Sequence, residues 1–355
     1  MSDDTRRGRE AARLMVEAQQ IRRRQLAAMA RDYEGVRDRL ESAYRGAVGG
    51  INSRIDDIMA RLAANFETMS REEYAAAVWL ADDLKAFRAA VARDLEAVAG
   101  VVRDGAAGLE RRGAEAGVRG GVAALRSGGV RMAFNPATLE NIQAGIGYVD
   151  GAAFRSAVGR YGEYHAEKIA DTILSAVSTY TNPRTTAAAI DQYLQRAPLA
   201  DAERLARTTQ IYSYRQGTRG IYEAAEVREW IWSANIGSPR TCAGCIAMHG
   251  TRHPIEQVLN DHHNGRCAMV PVTPTWEALG EAGGRDGIFQ TGAAWFERQD
   301  ASEQARVLGE ALYAAYATGR VSFTPEVMTT EYRNPIFGVM RRKATNNEIF
   351  ARSGI

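Results

Sequence analysis

The chain has only three cysteines and nine prolines in 355 residues, and five histidines that nearly all fall in one place. So few cysteines exclude a disulfide framework and suit a reducing cytoplasm. No run of roughly 18 apolar residues occurs, so no membrane-spanning helix is expected. The opening MSDDTRRGRE lacks the apolar core of a secretory signal. There is no G-x-x-x-x-G-K-[ST] phosphate loop and no G-x-S-x-G nucleophile elbow. A formal charge of +2 and a pI near 8.4 are too mild to mark the whole chain as a nucleic-acid binder. Apolar residues are plentiful at 45%, so the chain should fold, and its length predicts more than one core.

The scarce residues are gathered. Cys242, Cys245 and Cys267 lie with His249, His253, His262 and His263 in one stretch, and only His165 stands apart. Cys242 and Cys245 form C-x-x-C around Gly244, a spacing that aims two sulfurs at one point from a tight turn, as in tetrahedral zinc sites. The segment His262-His263-Asn264-Gly265-Arg266-Cys267 offers Cys267 and one of two histidines as the second half. The expected centre is Cys3His. A redox pair competes with it but lacks a preceding βαβ pattern. Cys267 as a small buried apolar residue is the plainer reading of that position.

Residues 9–98 read as long helices: Leu14, Ile21, Met29, Ile51, Ile55, Ile58 and Leu62 recur at helical spacing. Ser70 and Glu73 form a capping box that predicts a helix through Trp79, Leu84, Phe87, Val91, Leu95 and Val98. Arg22-Arg23-Arg24 suits either DNA phosphates or, with Asp32, Glu34 and Asp38 nearby, a solvated helix face. Residues 99–131 are rich in glycine, which disfavours helix, so this stretch reads as a flexible linker or loose helix with a boundary near Met132. Its apolar face (Val118, Val122, Leu125) is thin for a membrane-active segment. Further on, Asn182-Pro183 predicts a helix start and Asp201 opens another. Val227, Trp230 and Trp232 suggest a strand into the C-x-x-C turn, and Ala268 to Val272 a strand leaving Cys267. Asp300 with Glu303 caps a helix with Ala305, Leu308, Leu312, Tyr313 and Tyr316 on one face.

The series W-I-W-S…P-R-T-C-A-G-C…M-H-G-T…H-H-N-G-R-C-A-M-V-P resembles the signature of phage Mu F-like minor head proteins, the head morphogenesis family. That pattern matches Cys242, Cys245 and Arg266-Cys267, and sets His262 at the family's histidine. Gly237 or Ser238 stands where aspartate is usual, His249 replaces the aspartate before Gly250, and Gly265 replaces the first cysteine of C-R-C. This last departure narrows the choice to Cys267. The likeness covers about residues 134–320, including the segment from Phe134, the helix after Asp201 (with Thr209 in place of a glutamate) and the stretch AAWFERQDASEQARVLGEALYAAYATGRVSF.

These readings predict a mainly α chain with a small β-ribbon: long N-terminal helices (1–98), a glycine-rich linker (99–132), a Mu F-like body (133–320) with a zinc-pinned two-strand element, and a basic tail (321–355) that docks elsewhere. The metal ligands expected are Cys242, Cys245, His262 and Cys267, holding a structural Zn2+. The resemblance implies a non-enzymatic virion protein, made in the host cytoplasm and placed inside the capsid at the portal vertex. Its expected partners are the portal protein and other head proteins, with non-specific contact to packaged DNA, a possible homo-oligomer and no membrane. Its N-terminal apolar stripes would be buried against a partner chain. Two alternatives stand beside it. Asp261-His262 suggests an HNH-like nuclease, but no histidine follows His263 to complete one. A stand-alone DNA-binding module sits poorly with the charge. Cys242 as nucleophile with His249 as base would require a thiolate free of metal.

Overall fold

The computed structural model describes residues 3–76, 80–130, 136–273 and 290–355. Trp79, the boundary near Met132 and the start at Phe134 lie outside the described residues, as do the side chains of Leu14, Arg22 and Arg23. The protein is mainly helical with small antiparallel β-structure. Two compact units form, one from Met1–Ala30, Glu110–Tyr148 and Gln210–Ile355, the other from Arg31–Leu109 and Val149–Thr209. Helices α1 (Asp3–Thr68), α3 (Leu80–Ser127) and α8 (Ala197–Ala224) contribute residues to both. The body expected as one domain over 133–320 is thus divided. No described helix is long and apolar enough to cross a membrane.

In the unit of Arg31–Leu109 and Val149–Thr209, α1 and α3 run antiparallel. Val36 lies beside Gly105, Arg54 pairs with Asp94 at 3.0 Å and Arg61 with Asp83 at 2.6 Å. The α1 stripe of Val36, Leu40, Ile51, Ile55, Ile58 and Leu62 is buried, as are Leu84, Phe87, Val91, Leu95 and Val98 of α3. This corrects one expectation: from Val36 to Leu62 the stripe is covered within its own chain and needs no partner to bury it. The capping box at Ser70 and Glu73 is formed, but its helix α2 (Arg71–Ala75) stops early and α3 begins at Leu80. Helices α5 (Ala152–Gly159), α6 (Tyr161–Ser178) and α7 (Pro183–Leu194) complete the unit, and Asn182 caps α7 by accepting from the Arg184 N–H. Helix α8 starts at Ala197, ahead of the expected Asp201.

The expected linker is helix, and from Glu110 on it belongs to the other unit. Residues 99–127 belong to α3, and Gly113 and Gly117 in it serve close packing. A side chain at Gly113 or Gly117 would overlap the carbonyl oxygens of Gln210 or Tyr214 in α8, and one at Gly217 would overlap that of Ala114. The helix cost of glycine is real, but backbone contact between the two helices offsets it by gaining dispersion where they meet. Helix α4 (Pro136–Ala144) adds to this unit.

The ribbon has three strands, ordered β2–β1–β3. In β1 (Glu229–Ser233), Trp230 lies opposite His253 of β2 (Arg252–Pro254) and Pro271 of β3 (Ala268–Pro271), all antiparallel. The two expected strands are β1 and β3; β2 was not foreseen. Trp230, Ile231 and Trp232 are all buried, because the central strand is covered on both faces. Between β1 and β2 lies the short helix α9 (Ala243–Met248).

Beside the tryptophans packs a core of Val122, Leu125, Tyr222, Leu259 and Met269. A second core joins Ile246 of α9 to Phe296 of α10 (Gly292–Glu297), Leu308 of α11 (Ala301–Leu308), Leu312 of α12 (Glu310–Ala317) and Met328 of α13 (Pro325–Met328). Asp300 caps α11 as expected, but Gly309, at φ +84°, breaks the expected single helix into α11 and α12. The tail is also corrected. It forms the hairpin β4 (Thr329–Asn334) and β5 (Gly338–Lys343) with a final helix α14 (Asn346–Arg352), and Ala344 and Ile349 enter the second core.

Candidate metal centre

Cys242 has extended backbone and caps α9, its sulfur accepting from the Cys245 N–H at 3.4 Å. The C-x-x-C motif is therefore a helix start, and one turn of α9 brings both sulfurs to the same side. His262 arrives from the loop between β2 and β3. Its Nε2 stands 3.5 Å from the Cys242 sulfur and 3.4 Å from the Cys245 sulfur. A tetrahedral ion about 2.3 Å from sulfur and about 2.0 Å from nitrogen would hold such atoms roughly 3.6 Å apart. The spacing is close to that of ligands around one ion.

The His262 ring is oriented from behind. Its Nδ1 donates to the His263 carbonyl at 2.8 Å, so the neutral ring presents its Nε2 lone pair to the sulfurs, the arrangement metal-bound histidines use. His263 turns away, with its Nε2 3.4 Å from Asn334 Nδ2 and its ring edge-on to Phe337. Of the two adjacent histidines, His262 is the one in the cluster.

Cys242, Cys245 and His262 present donor atoms within 4.8 Å of one another, and so do Cys245, Asp261 and Cys267. Each triad can hold a metal ion, and they share Cys245. Cys267 joins the expected set through Cys245, whose thiol it hydrogen-bonds, and not through all three partners at once. Among the protein groups alone, the Cys242 thiol is held down to about 4, first by its hydrogen bond with Cys245 and then by His262, against burial. The Cys245 thiol is pushed up, first by Cys242, then by Cys267 and burial. His262 is raised to about 9, chiefly by its hydrogen bond to Cys242. Without an ion the Cys242 thiolate is thus matched by a protonated His262, and a soft cation would take the place of that proton.

Two buried residues behind the cluster were missed by the sequence reading in this role. Asp261 and Arg215 of α8 each have side chains 1% exposed, with Asp261 Oδ1 2.6 Å from Arg215 Nη1. This is a close ion pair whose N–H does not point along the line to the oxygen. Asp261 Oδ2 accepts from the Cys267 N–H at 3.3 Å, and the Cys267 carbonyl accepts from Arg215 Nε and Nη2 at 3.3 and 3.1 Å. A side chain at Gly265 would overlap the Asp261 carboxylate. The position where the family pattern has a cysteine is thus closed to any side chain by this carboxylate. The available signal was a charge seven residues from Thr208 and from Tyr222, on the buried stripe of α8.

The remaining histidines have structural roles. His249 Nδ1 accepts from the Ala234 N–H at 3.0 Å. His253 stacks on Trp230 and is bonded through both ring nitrogens, to Thr251 and Gln257. Neither joins the donor groups, in which the histidine beside Cys242 is His262. His165 belongs to the other unit. No protein-family model, curated protein or solved structure matches this chain.

Proposed function

We propose that this chain is a minor head protein of a phage, structural and not enzymatic, joined to the portal vertex inside the capsid and acting in head assembly, DNA packaging or ejection. It would be made in the host cytoplasm, contact the portal and other head proteins, touch packaged DNA without sequence preference, and bind one structural Zn2+ through Cys242, Cys245, His262 and Cys267. The support is the ordered resemblance over about residues 134–320. The observation that carries it is the meeting of His262 Nε2 with the Cys242 and Cys245 sulfurs, which joins both halves of the motif that resembles the family's signature.

A structural role for the ion is favoured by crowding. Cys245 and Cys267 are buried, and the space between the cluster and the hairpin, with Cys245, His262, Thr329, Arg341 and Lys343 in its lining, measures about 10 Å³, close to one water, whereas catalytic zinc sites keep a position open to substrate. Mass spectrometry and electron cryomicroscopy of purified particles test the reading. The protein is expected at low copy number beside the portal; its absence from particles at every stage of head assembly would reject it.

A further inference from the structure

Five donors surround a centre that would use four. Cys242, Cys245 and His262 form one closed group, while Asp261 and Cys267 both reach it through Cys245. Which of these two completes the coordination decides the charge and softness of the site. A carboxylate would make it a mixed sulfur, nitrogen and oxygen centre; a third thiolate makes it the softer Cys3His.

We propose that Arg215 is a positioning residue that makes this choice, holding Asp261 out of the coordination sphere and presenting Cys267 as the fourth ligand. The inference rests on the metal-binding reading above. One guanidinium reaches both competitors: Nη1 sits on Asp261 Oδ1, while Nε and Nη2 hold the Cys267 carbonyl. The second Asp261 oxygen takes the Cys267 N–H. Cys267 is therefore gripped at both ends of its backbone, and the grip leaves its thiol free to meet Cys245. The Asp261 carboxylate is engaged at both oxygens and fills the space a side chain at Gly265 would take.

Charge favours the same assignment. A divalent ion with three thiolates and a neutral histidine carries one net negative charge, and the Asp261–Arg215 pair adds none. Without Arg215 the same pocket would bury two, which is costly in a low-dielectric interior. The site would then be relieved by protonating the carboxylate, or by letting it replace a thiolate.

The test uses the full chain loaded with Co2+, whose sulfur-to-metal charge-transfer band counts bound thiolates, together with competition titrations against Zn2+. Cys267→Ser is expected to lower the band by about one third, as loss of one thiolate of three requires. Asp261→Asn should leave the band unchanged. Arg215→Met should weaken binding by about 10–100-fold, the usual effect of losing an outer-shell partner, with a reduced band. The double variant Arg215→Met/Asp261→Leu, which removes both buried charges, should regain the three-thiolate band. If Arg215→Met does not fold, the double variant carries the test of Arg215, and the comparison of Cys267→Ser with Asp261→Asn still decides the fourth ligand. A band insensitive to Cys267→Ser but changed by Asp261→Asn would overturn the proposal, as would an Arg215→Met protein with unaltered band and affinity. A wild-type chain that binds neither ion would instead reject the metal reading beneath it.

Discussion

His262 and His263 are neighbours in the chain and face opposite ways, the first with Nε2 toward the sulfurs of Cys242 and Cys245, the second toward Asn334 and Phe337. The difference predicts unequal consequences. His262→Ala should abolish stoichiometric zinc in elemental analysis of untagged protein, whereas His263→Ala should keep about one ion per chain. The reverse pattern would reassign the ligand.

Cys245 is the residue both donor triads share, so its loss should be the most damaging. Structural zinc contributes on the order of 10 kcal/mol to folding in small zinc modules, and ordinary surface changes stay within about 0.5 kcal/mol. Cys245→Ser is expected to lower stability by several kcal/mol (order of magnitude, same scale) and to make the protein insensitive to chelators. A chelator-induced fall in melting temperature equal to that of wild type would contradict this.

The glycines of α3 should not behave alike. An added methyl at Gly117 would overlap the Tyr214 carbonyl of α8, while nothing lies within 4 Å of one at Gly100. Gly117→Ala is expected to cost about 1–3 kcal/mol or more through overpacking. Gly100→Ala should stabilise by up to about 1 kcal/mol, because a mid-helix glycine is replaced in open space. Urea unfolding of both variants measures this, and equal effects would mean that the α3–α8 contact yields to an added methyl.

His165 carries a pH dependence. It is 1% exposed, bonded by Nδ1 to Tyr193 at 2.6 Å, 3.9 Å from Asp201, and edge-on to Tyr161 and Tyr164. Burial lowers it from 6.5 to about 4, against the pull of Asp201. The unfolded chain therefore binds the proton first, so the stabilisation is complete above pH 6.5 and is lost as the pH falls toward 4. Between pH 7.5 and 5, about 2 kcal/mol of stability should disappear from this group alone. His165→Gln should be less stable at neutral pH but lose correspondingly less on acidification. An identical pH slope in both proteins would remove His165 as the cause.

The nuclease alternative makes a separate prediction. With Asp261 tied to Arg215 and His262 facing sulfur, neither is expected to activate water. Plasmid incubated with the protein and Mg2+ or Mn2+ should remain supercoiled. Nicking that disappears in His262→Ala would replace the structural reading with an enzymatic one.

Much of this protein is legible in its residues. The Ser70, Asn182 and Asp300 caps, the apolar stripes of α1 and α3, and strands β1 and β3 follow from local propensity and periodicity, which act over one or two turns. The gathering of Cys242, Cys245, His262 and Cys267 was likewise visible, because scarce soft ligands seldom cluster without cause. Tertiary structure alone decided the rest. Whether Gly113 and Gly117 loosen a helix or let two helices touch depends on α8, a hundred residues away in the chain. Whether the α1 stripe seeks another molecule depends on α3 returning antiparallel to cover it. The choice between His262 and His263 depends on a ring's hydrogen bond, and the roles of Arg215 and Asp261 on an ion pair that local sequence does not encode. Spacing along a chain specifies which side chains share a face; only folding specifies what that face meets.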